Sequence, residues 1–497
     1  MPEPDELRSP AARCAQGLPD ELRSPAARCA LRLPSDELRR IAEIRAQIDH
    51  PIIDTDGHLL ESVPLLLEHV DADAGAAAAL RVRAALPGLF TGGGSVERGI
   101  ARGPWWPSPT DAEYQATVMI PSLLAEQLEE IGIDFAILYA SLGLALCTLP
   151  DPDTRLPAVR ALNTMLADLC KTSSYRLTPA AVIPMHTPEE AVAELRRVRR
   201  ELGLRAAMIP PAVARPLAAY PELFPRLCHP DRYGIDSAFD YDPVWRAFVE
   251  LGVAVTAHGA VGATYLPDGR SSPSNYSYNH VLGHGYLQSE LCRALVYGGV
   301  PMRFPELQFG FLEGGAAWAM QTLASLCEHW EKRGPEGIAN YDPRRLDHAR
   351  LAELLTSHGF PVQPPEMIGD VNLHPWARDE FEDSGLRGPE DIARIFGEQF
   401  AFGCESDDLS VHRALDGPGN KQGVALRPVF SSDIGHWDVP RLTDPVPSSW
   451  KLVESGRLSR EGYRRFVFEL PARLHLAMNP DFFAGTSVEA ATRSLFG

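Results

Sequence analysis

The run Ser431-Ser432-Asp433-Ile434-Gly435-His436, followed by Trp437-Asp438, sets a carboxylate and an imidazole directly after the apolar, β-prone stretch Val424-Ala425-Leu426-Arg427-Pro428-Val429-Phe430. A buried strand ending this way delivers both groups to the C-terminal rim of a parallel sheet, where α/β barrels carry their chemistry. The same arrangement recurs with Asp56 and His58 after Pro51-Ile52-Ile53, His258 after Val253-Ala254-Val255-Thr256, and Glu313 after Leu307-Gln308-Phe309-Gly310-Phe311. Asp56 and His58 stand at i and i+2, so on a strand both side chains leave the same face. Each strand end alone has an ordinary structural reading: Asp56 as a cap, His58 as a surface residue, His436 as packing against Trp437. The coincidence of four such ends points instead to one metal site.

A borderline-hard divalent ion takes imidazole nitrogen and carboxylate oxygen, and a catalytic site leaves a position open for water. Asp56, His58, His258, Glu313 and Asp433 are therefore the candidate ligands, for one or two ions of zinc, iron or manganese. Asp433 is also the candidate base, and His436 the candidate acid or substrate-orienting group.

The elements needed to position these groups are written along the chain. From about residue 48 short apolar strands alternate with amphipathic helical segments, which predicts a parallel sheet. Candidate strands cover 51–56, 133–139, 179–184, 205–210, 252–258, 307–313, 398–405 and 424–432. Eight strands fit a (β/α)8 TIM barrel with insertions and C-terminal helices; an open doubly wound sheet would not gather strand ends one, five, six and eight. Thr187-Pro188-Glu189-Glu190 predicts the capped start of a helix. Residues 4–15 recur identically at 19–30, with a partial third copy at Ser35-Asp36-Glu37-Leu38-Arg39. These Pro-interrupted units predict a disordered arm over 1–47, leaving 48–497 as the barrel.

Two insertions stand out. Residues 92–120 carry Trp105 and Trp106, which with His284 are expected to contact substrate; Tyr276, Asn279 and His280 are further pocket candidates. Residues 330–390 are charged and Pro-rich and predict helices and loops outside the barrel. The eight cysteines show no CxxC pair; Cys404 is read as core packing rather than as a nucleophile. A formal charge of −19 disfavours nucleic acid and anionic lipid as partners, and 45% hydrophobic residues suffice for a large core. No apolar run reaches the length of a membrane helix. A cytoplasmic protein acting on a small molecule is the expectation.

The chain also resembles the amidohydrolase-related family of the amidohydrolase superfamily, the branch that includes aminocarboxymuconate-semialdehyde decarboxylase. The resemblance rests on Ile53-Asp54-Thr55-Asp56-Gly57-His58-Leu59-Leu60-Glu61, Gly132-Ile133-Asp134, Ala193-Glu194-Leu195-Arg196-Arg197 and Val255-Thr256-Ala257-His258-Gly259. It continues through Arg303-Phe304-Pro305-Glu306-Leu307, Leu312-Glu313-Gly314-Gly315-Ala316-Ala317-Trp318 and Ser432-Asp433-Ile434-Gly435-His436-Trp437-Asp438. It implies a metal-dependent TIM barrel and is compatible with a homodimer. In that family the strand-one HxH falls on Asp56 and His58, the strand-five His on His258 and the strand-eight Asp on Asp433. Two positions depart from it: Asp56 replaces a histidine, and Glu313 stands where the decarboxylases hold one. Because a carboxylate is normally anionic at neutral pH, these changes favour a hydrolase of an amide, ester or thioester bond. The alternative is a non-oxidative decarboxylase or hydratase of an aromatic or unsaturated carboxylic acid. A third reading is a catalytically silent barrel that binds a ligand.

Overall fold

Runs such as Phe135-Ala136-Ile137-Leu138 and Ala180-Ala181-Val182 are apolar on both faces, and both faces are buried, as a parallel sheet enclosed by helices requires. The computed structural model describes residues 34–90, 102, 108–224, 227–259, 272–342, 345–362 and 379–495. Its strands are β1 (Ile53–Leu59), β2 (Phe135–Ala140), β3 (Leu177–Val182), β4 (Ala206–Ile209), β5 (Val213–Pro216), β6 (Cys228–Asp231), β7 (Val255–Ala257), β8 (Phe309–Phe311), β9 (Phe400–Glu405) and β10 (Pro428–Ser431). Eight of them form one sheet in the order β1-β2-β3-β4-β7-β8-β9-β10. Every pairing within it is parallel. β10 returns to β1 through the Asp433 N–H donating to the Asp56 carbonyl at 2.9 Å and the His58 N–H to that of Ile434 at 2.7 Å. This is the expected TIM barrel, with strands at the expected places. β5 and β6 pair as an antiparallel ribbon within the β4–β7 connection.

Local chemistry sets the surrounding helices. Thr187 caps Pro188–Arg200 by accepting from the Glu190 N–H at 3.2 Å. Glu189 and Glu190 in the first turn and Arg197, Arg199 and Arg200 in the last complement the helix dipole. At the opposite end of the barrel, Leu470 and Leu474 of Leu470–Leu476 pack on Ala254, Ala401 and Val429, so the C-terminal helices fold back as expected. Among the described residues no helix is long and apolar enough to cross a membrane.

The boundary of the N-terminal arm at residue 47 needs correction, because Ser35–Arg45 is a helix that docks on the barrel. The first two copies of the repeat continue into Ser-Pro. The third continues as Arg40-Ile41-Ala42-Glu43-Ile44, setting Ile41 and Ile44 on one face, both buried. Glu37 then accepts from the Thr443 hydroxyl and Arg441, and Arg45 pairs with Asp134 at 3.0 Å. Residues 1–33 lie outside the described residues.

A pH dependence of stability follows from two buried histidines. His475 stacks on Phe482 with ring centroids 4.3 Å apart. Neither His475 nor His186 has a hydrogen-bond partner on its ring nitrogens. Burial pulls His475 down to about 3; burial, with Arg155 and Arg215, pulls His186 to about 2. The unfolded chain therefore binds more protons below about pH 6.5. Stability is complete above that pH and falls as it drops towards 3, by up to about 1.4 kcal/mol per unit for each histidine. Urea unfolding at pH 7 and pH 5 should show this loss, with His475→Leu losing less; identical losses in both proteins would rule His475 out as a cause.

Candidate metal centre

The end of β1 is fixed by a buried carboxylate that the sequence reading did not single out. Asp54 accepts from the Ser432 N–H at 2.8 Å, the Ser432 hydroxyl at 2.5 Å and the Asp56 N–H at 3.1 Å. It thereby ties β1 to the segment after β10, and burial pushes its carboxyl up to about 7. A Cβ at Gly57 would lie 2.8 Å from Asp54 Oδ2, so the tie also explains the glycine between Asp56 and His58.

Asp56, His58, His258 and Asp433 converge beneath this rim, each with no exposed surface. His58 Nε2 and His258 Nε2 stand 3.1 Å apart. Asp56 Oδ1 is 3.5 Å from the first and 3.3 Å from the second, and Asp433 Oδ1 is 3.3 Å from His58 Nε2. Burial, then the neighbouring His436 and His258, holds His58 well below the usual imidazole range, so the ring is neutral and one of its nitrogens keeps a lone pair. Burial opposes charge on His258, but Asp56 and Glu313 outweigh it. Both Asp56 oxygens and both Asp433 oxygens are buried without a well-directed hydrogen bond. Buried carboxylates that lack well-directed hydrogen bonds are costly. A dication among two imidazole nitrogens and two carboxylate oxygens removes that cost, so these residues fit a divalent metal.

Two of the carboxylates are held in backbone conformations that L-residues seldom adopt: Glu313 at φ +56° and Asp433 at φ +54°. Such conformations cost about 1–3 kcal/mol and persist where the surroundings over-determine them. Gly435, at φ +110°, lies against His58, and a Cβ there would stand 2.9 Å from its Cβ and its carbonyl oxygen. Gly435→Ala is expected to destabilise the fold by about 1–3 kcal/mol and to lower metal content. Unchanged values in chemical denaturation and elemental analysis would show that His58 can yield.

Around the four donors lie the groups that could handle protons. His436 Nδ1 is 2.8 Å from Asp433 Oδ1 and 3.7 Å from Glu313 Oε1, and its ring stacks on His58 at 3.6 Å. Burial opposes its protonation, but Asp433 and Glu313 raise it well above the usual imidazole range. Ser141 Oγ lies 3.3 Å from His436 Nε2 and 3.5 Å from His58 Nδ1. Glu61 holds the turn that carries Ser141 by accepting from the Leu142 and Gly143 N–H groups. Its carboxyl is pushed up to about 7 by burial.

The structure also places His284 and Glu313 together, with Nδ1 2.9 Å from Oε2. His280, Tyr276 and the half-exposed Trp437 form an aromatic rim, with His280 5.2 Å from both His284 and Trp437 by ring centroids. Asn279 instead bonds the backbone of Arg102 and Ser272. Trp105 and Trp106 lie outside the described residues. Cys404 is buried, and burial raises its thiol well above the usual value, in keeping with packing.

The neighbour of Cys404 was missed. Glu405 ends β9, and one of its oxygens lies within 4.8 Å of carboxylate oxygens of Glu313 and Asp438. The strand-end rule that singled out Asp433 applies to Glu405 equally. Ser141 and Glu61 carried no comparable signal.

The fold is a (β/α)8 barrel whose rim gathers residues that could hold a divalent metal. Residues 151–363 match the family described as Amidohydrolase. A curated decarboxylase of 2-amino-3-carboxymuconate 6-semialdehyde from Dictyostelium discoideum is 24% identical over 236 residues, covering 46% of this chain and 57% of its own length. The match thus spans little more than half of that relative. An amidohydrolase structure from Mycobacterium avium subsp. paratuberculosis K-10 superposes with a TM-score of 0.50 at 15% identity, covering 86% of this chain and 99% of the other. A 5-carboxyvanillate decarboxylase from Novosphingobium aromaticivorans DSM 12444, complexed with manganese, gives 0.49 at 16% identity over 86% and 96%. Over residues 151–363 this chain is similar to the amidohydrolase family, and over 236 residues to aminocarboxymuconate-semialdehyde decarboxylase. The expectation of an acyl-bond hydrolase is corrected by the same finding, since the curated relative is a decarboxylase.

Proposed function

We propose that this protein is a divalent-metal-dependent, non-oxidative decarboxylase of a small aromatic or unsaturated carboxylic acid. Asp56, His58, His258 and Asp433 are the residues that would hold the ion, and two nitrogens with two oxygens suit zinc or manganese. When bound, the ion supplies positive charge that orients an anionic substrate and stabilises the electron density left by bond cleavage.

The observation that carries the reading is His436, an imidazole kept protonated by Asp433 and Glu313 beside the donor cluster. Replacement of the family histidine by Glu313 argued against decarboxylation at the level of sequence. That objection weakens because imidazoles from elsewhere in the chain, His436 and His284, flank the carboxylate. In decarboxylation the carbon–carboxylate bond breaks, carbon dioxide departs, and the electron pair stays on carbon. His436 then donates its proton to that carbon and regains one from solvent. Ser141, between His436 and His58, fixes the two ring orientations. The aromatic rim of Tyr276, His280 and Trp437 offers apolar area to a planar substrate.

The test is a panel of hydroxybenzoic and unsaturated carboxylic acids in deuterium oxide and, separately, in 18O-water. The expected result is one carbon dioxide per product and one deuterium at the vacated carbon. Solvent 18O in the organic product, without release of carbon dioxide, would refute the proposal.

A further inference from the structure

We infer that the N-terminal mouth of the barrel, at the end opposite the candidate metal centre, binds one small monovalent anion of the halide class on the guanidinium of Arg427. This ligand is neither substrate nor metal, and its site stands whether or not the chain is a decarboxylase.

Arg427 directly precedes β10 and is 8% exposed. By strand alternation it shares a face with Val429, which packs with Ala254, Ala401, Leu470 and Leu474 at this end of the barrel. Its Nη1 reaches across β9, donating to Gln308 Oε1 at 2.6 Å and to the main-chain carbonyl of Glu398. Both acceptors are neutral, and the two bonds leave Nε and Nη2 to other partners. Among the described residues three arginines are buried. Arg155 pairs with Glu190 at 2.9 Å and Arg197 with Glu194 at 2.6 Å, whereas no described carboxylate forms an ion pair with Arg427. Glu398, whose carboxylate acts on it from a distance, is an exposed residue. Next to the Glu398 carbonyl in the chain, Gln399 is 2% exposed and has a hydrogen-bond partner on neither Nε2 nor Oε1. A buried amide donor without an acceptor thus stands one residue from the carbonyl held by a buried guanidinium without a counter-ion.

Charge supports the same conclusion. Burying a charge is costly unless an opposite charge offsets it. Burial and then Arg473, on the helix Leu470–Leu476, lower Arg427 to about 10, so the guanidinium keeps its proton at neutral pH and faces a like charge instead of an opposite one. A single anion of charge −1 neutralises Arg427 and screens it from Arg473. Sulfate or phosphate would bring excess charge and a larger desolvation cost to surroundings that are largely aliphatic. A halide asks only for N–H donors, which the guanidinium and the Gln399 amide offer.

The experiment is urea unfolding of the full-length chain with gluconate replaced stepwise by chloride at constant ionic strength, joined to the anomalous signal of bromide in crystals. Because the anion binds the folded state, each tenfold rise in chloride beyond half-saturation should favour the folded protein by about tenfold, and bromide should lie on the Arg427 guanidinium. Arg427→Met, apolar and of similar length, should abolish the chloride dependence. Arg473→Gln changes an exposed side chain and should raise the chloride required by roughly 2- to 5-fold, so it tests the site even where Arg427→Met does not fold. No chloride dependence in the wild type, or the same dependence in Arg473→Gln as in the wild type, overturns the proposal. Bromide on Arg427 in the crystal without a chloride dependence in solution marks an adventitious ion only and overturns it likewise.

Discussion

Asp433→Asn is expected to abolish turnover, by about 10³-fold or more, and to lower metal content while the barrel stays folded. The substitution is nearly isosteric, and asparagine tolerates the left-handed backbone that Asp433 adopts at φ +54°. The tie from residue 433 to β1 is a main-chain bond, Asp433 N–H to the Asp56 carbonyl at 2.9 Å, and survives the change. What is lost is the negative charge 3.3 Å from His58 Nε2 and 2.8 Å from His436 Nδ1. On the proposed function that one charge would serve both as a donor to the metal and as a counter-ion to the proposed acid, so the two functions would fail together. Steady-state kinetics, elemental analysis and a thermal melt test this directly. A variant with wild-type turnover would remove Asp433 from the mechanism; one with full metal occupancy but no turnover would confine its role to His436.

The second large effect is expected at His436, where the two functions separate. His436→Gln should lower kcat by about 10²- to 10⁴-fold, the usual range for losing a positioned general acid, while metal content and KM change little. His436 makes its closest contact with Asp433 from outside the four donors, and its ring lies flat against His58, so its removal leaves those donors in place. The decisive readout is the split: a fall in kcat at constant metal occupancy assigns the proton to His436. An unchanged kcat would pass the acid role to His284, the other imidazole beside Glu313. Loss of metal in the same variant would make His436 a positioning residue for His58.

Where sequence reasoning succeeded, the information was local. Apolar runs of four to seven residues determined the strands. The i and i+2 spacing placed Asp56 and His58 on one face, and Thr187 three residues before Glu190 marked a helix start that the hydrogen bond between them bears out. The signal for the docked helix Ser35–Arg45 is equally local, in the spacing of the buried Ile41 and Ile44. Cys404 and Glu405 show the limit: two adjacent residues at a strand end point to opposite faces, and composition alone drew notice to the thiol while the carboxylate reached the site.

By itself, then, the sequence determined the alternation of strands and helices, the barrel they imply, and the strand ends at which imidazoles and carboxylates would appear, because hydrophobic period and capping act over a few residues. Tertiary structure alone decided how those groups meet. The contact of His284 with Glu313, of Ser141 with His436, and of Glu405 with Asp438 joins separate connections of the barrel. Such contacts depend on how the strands close around the axis and on buried ties such as Asp54 to Ser432. The protonation of each group follows from burial and neighbouring charge, and neither exists until the chain has folded.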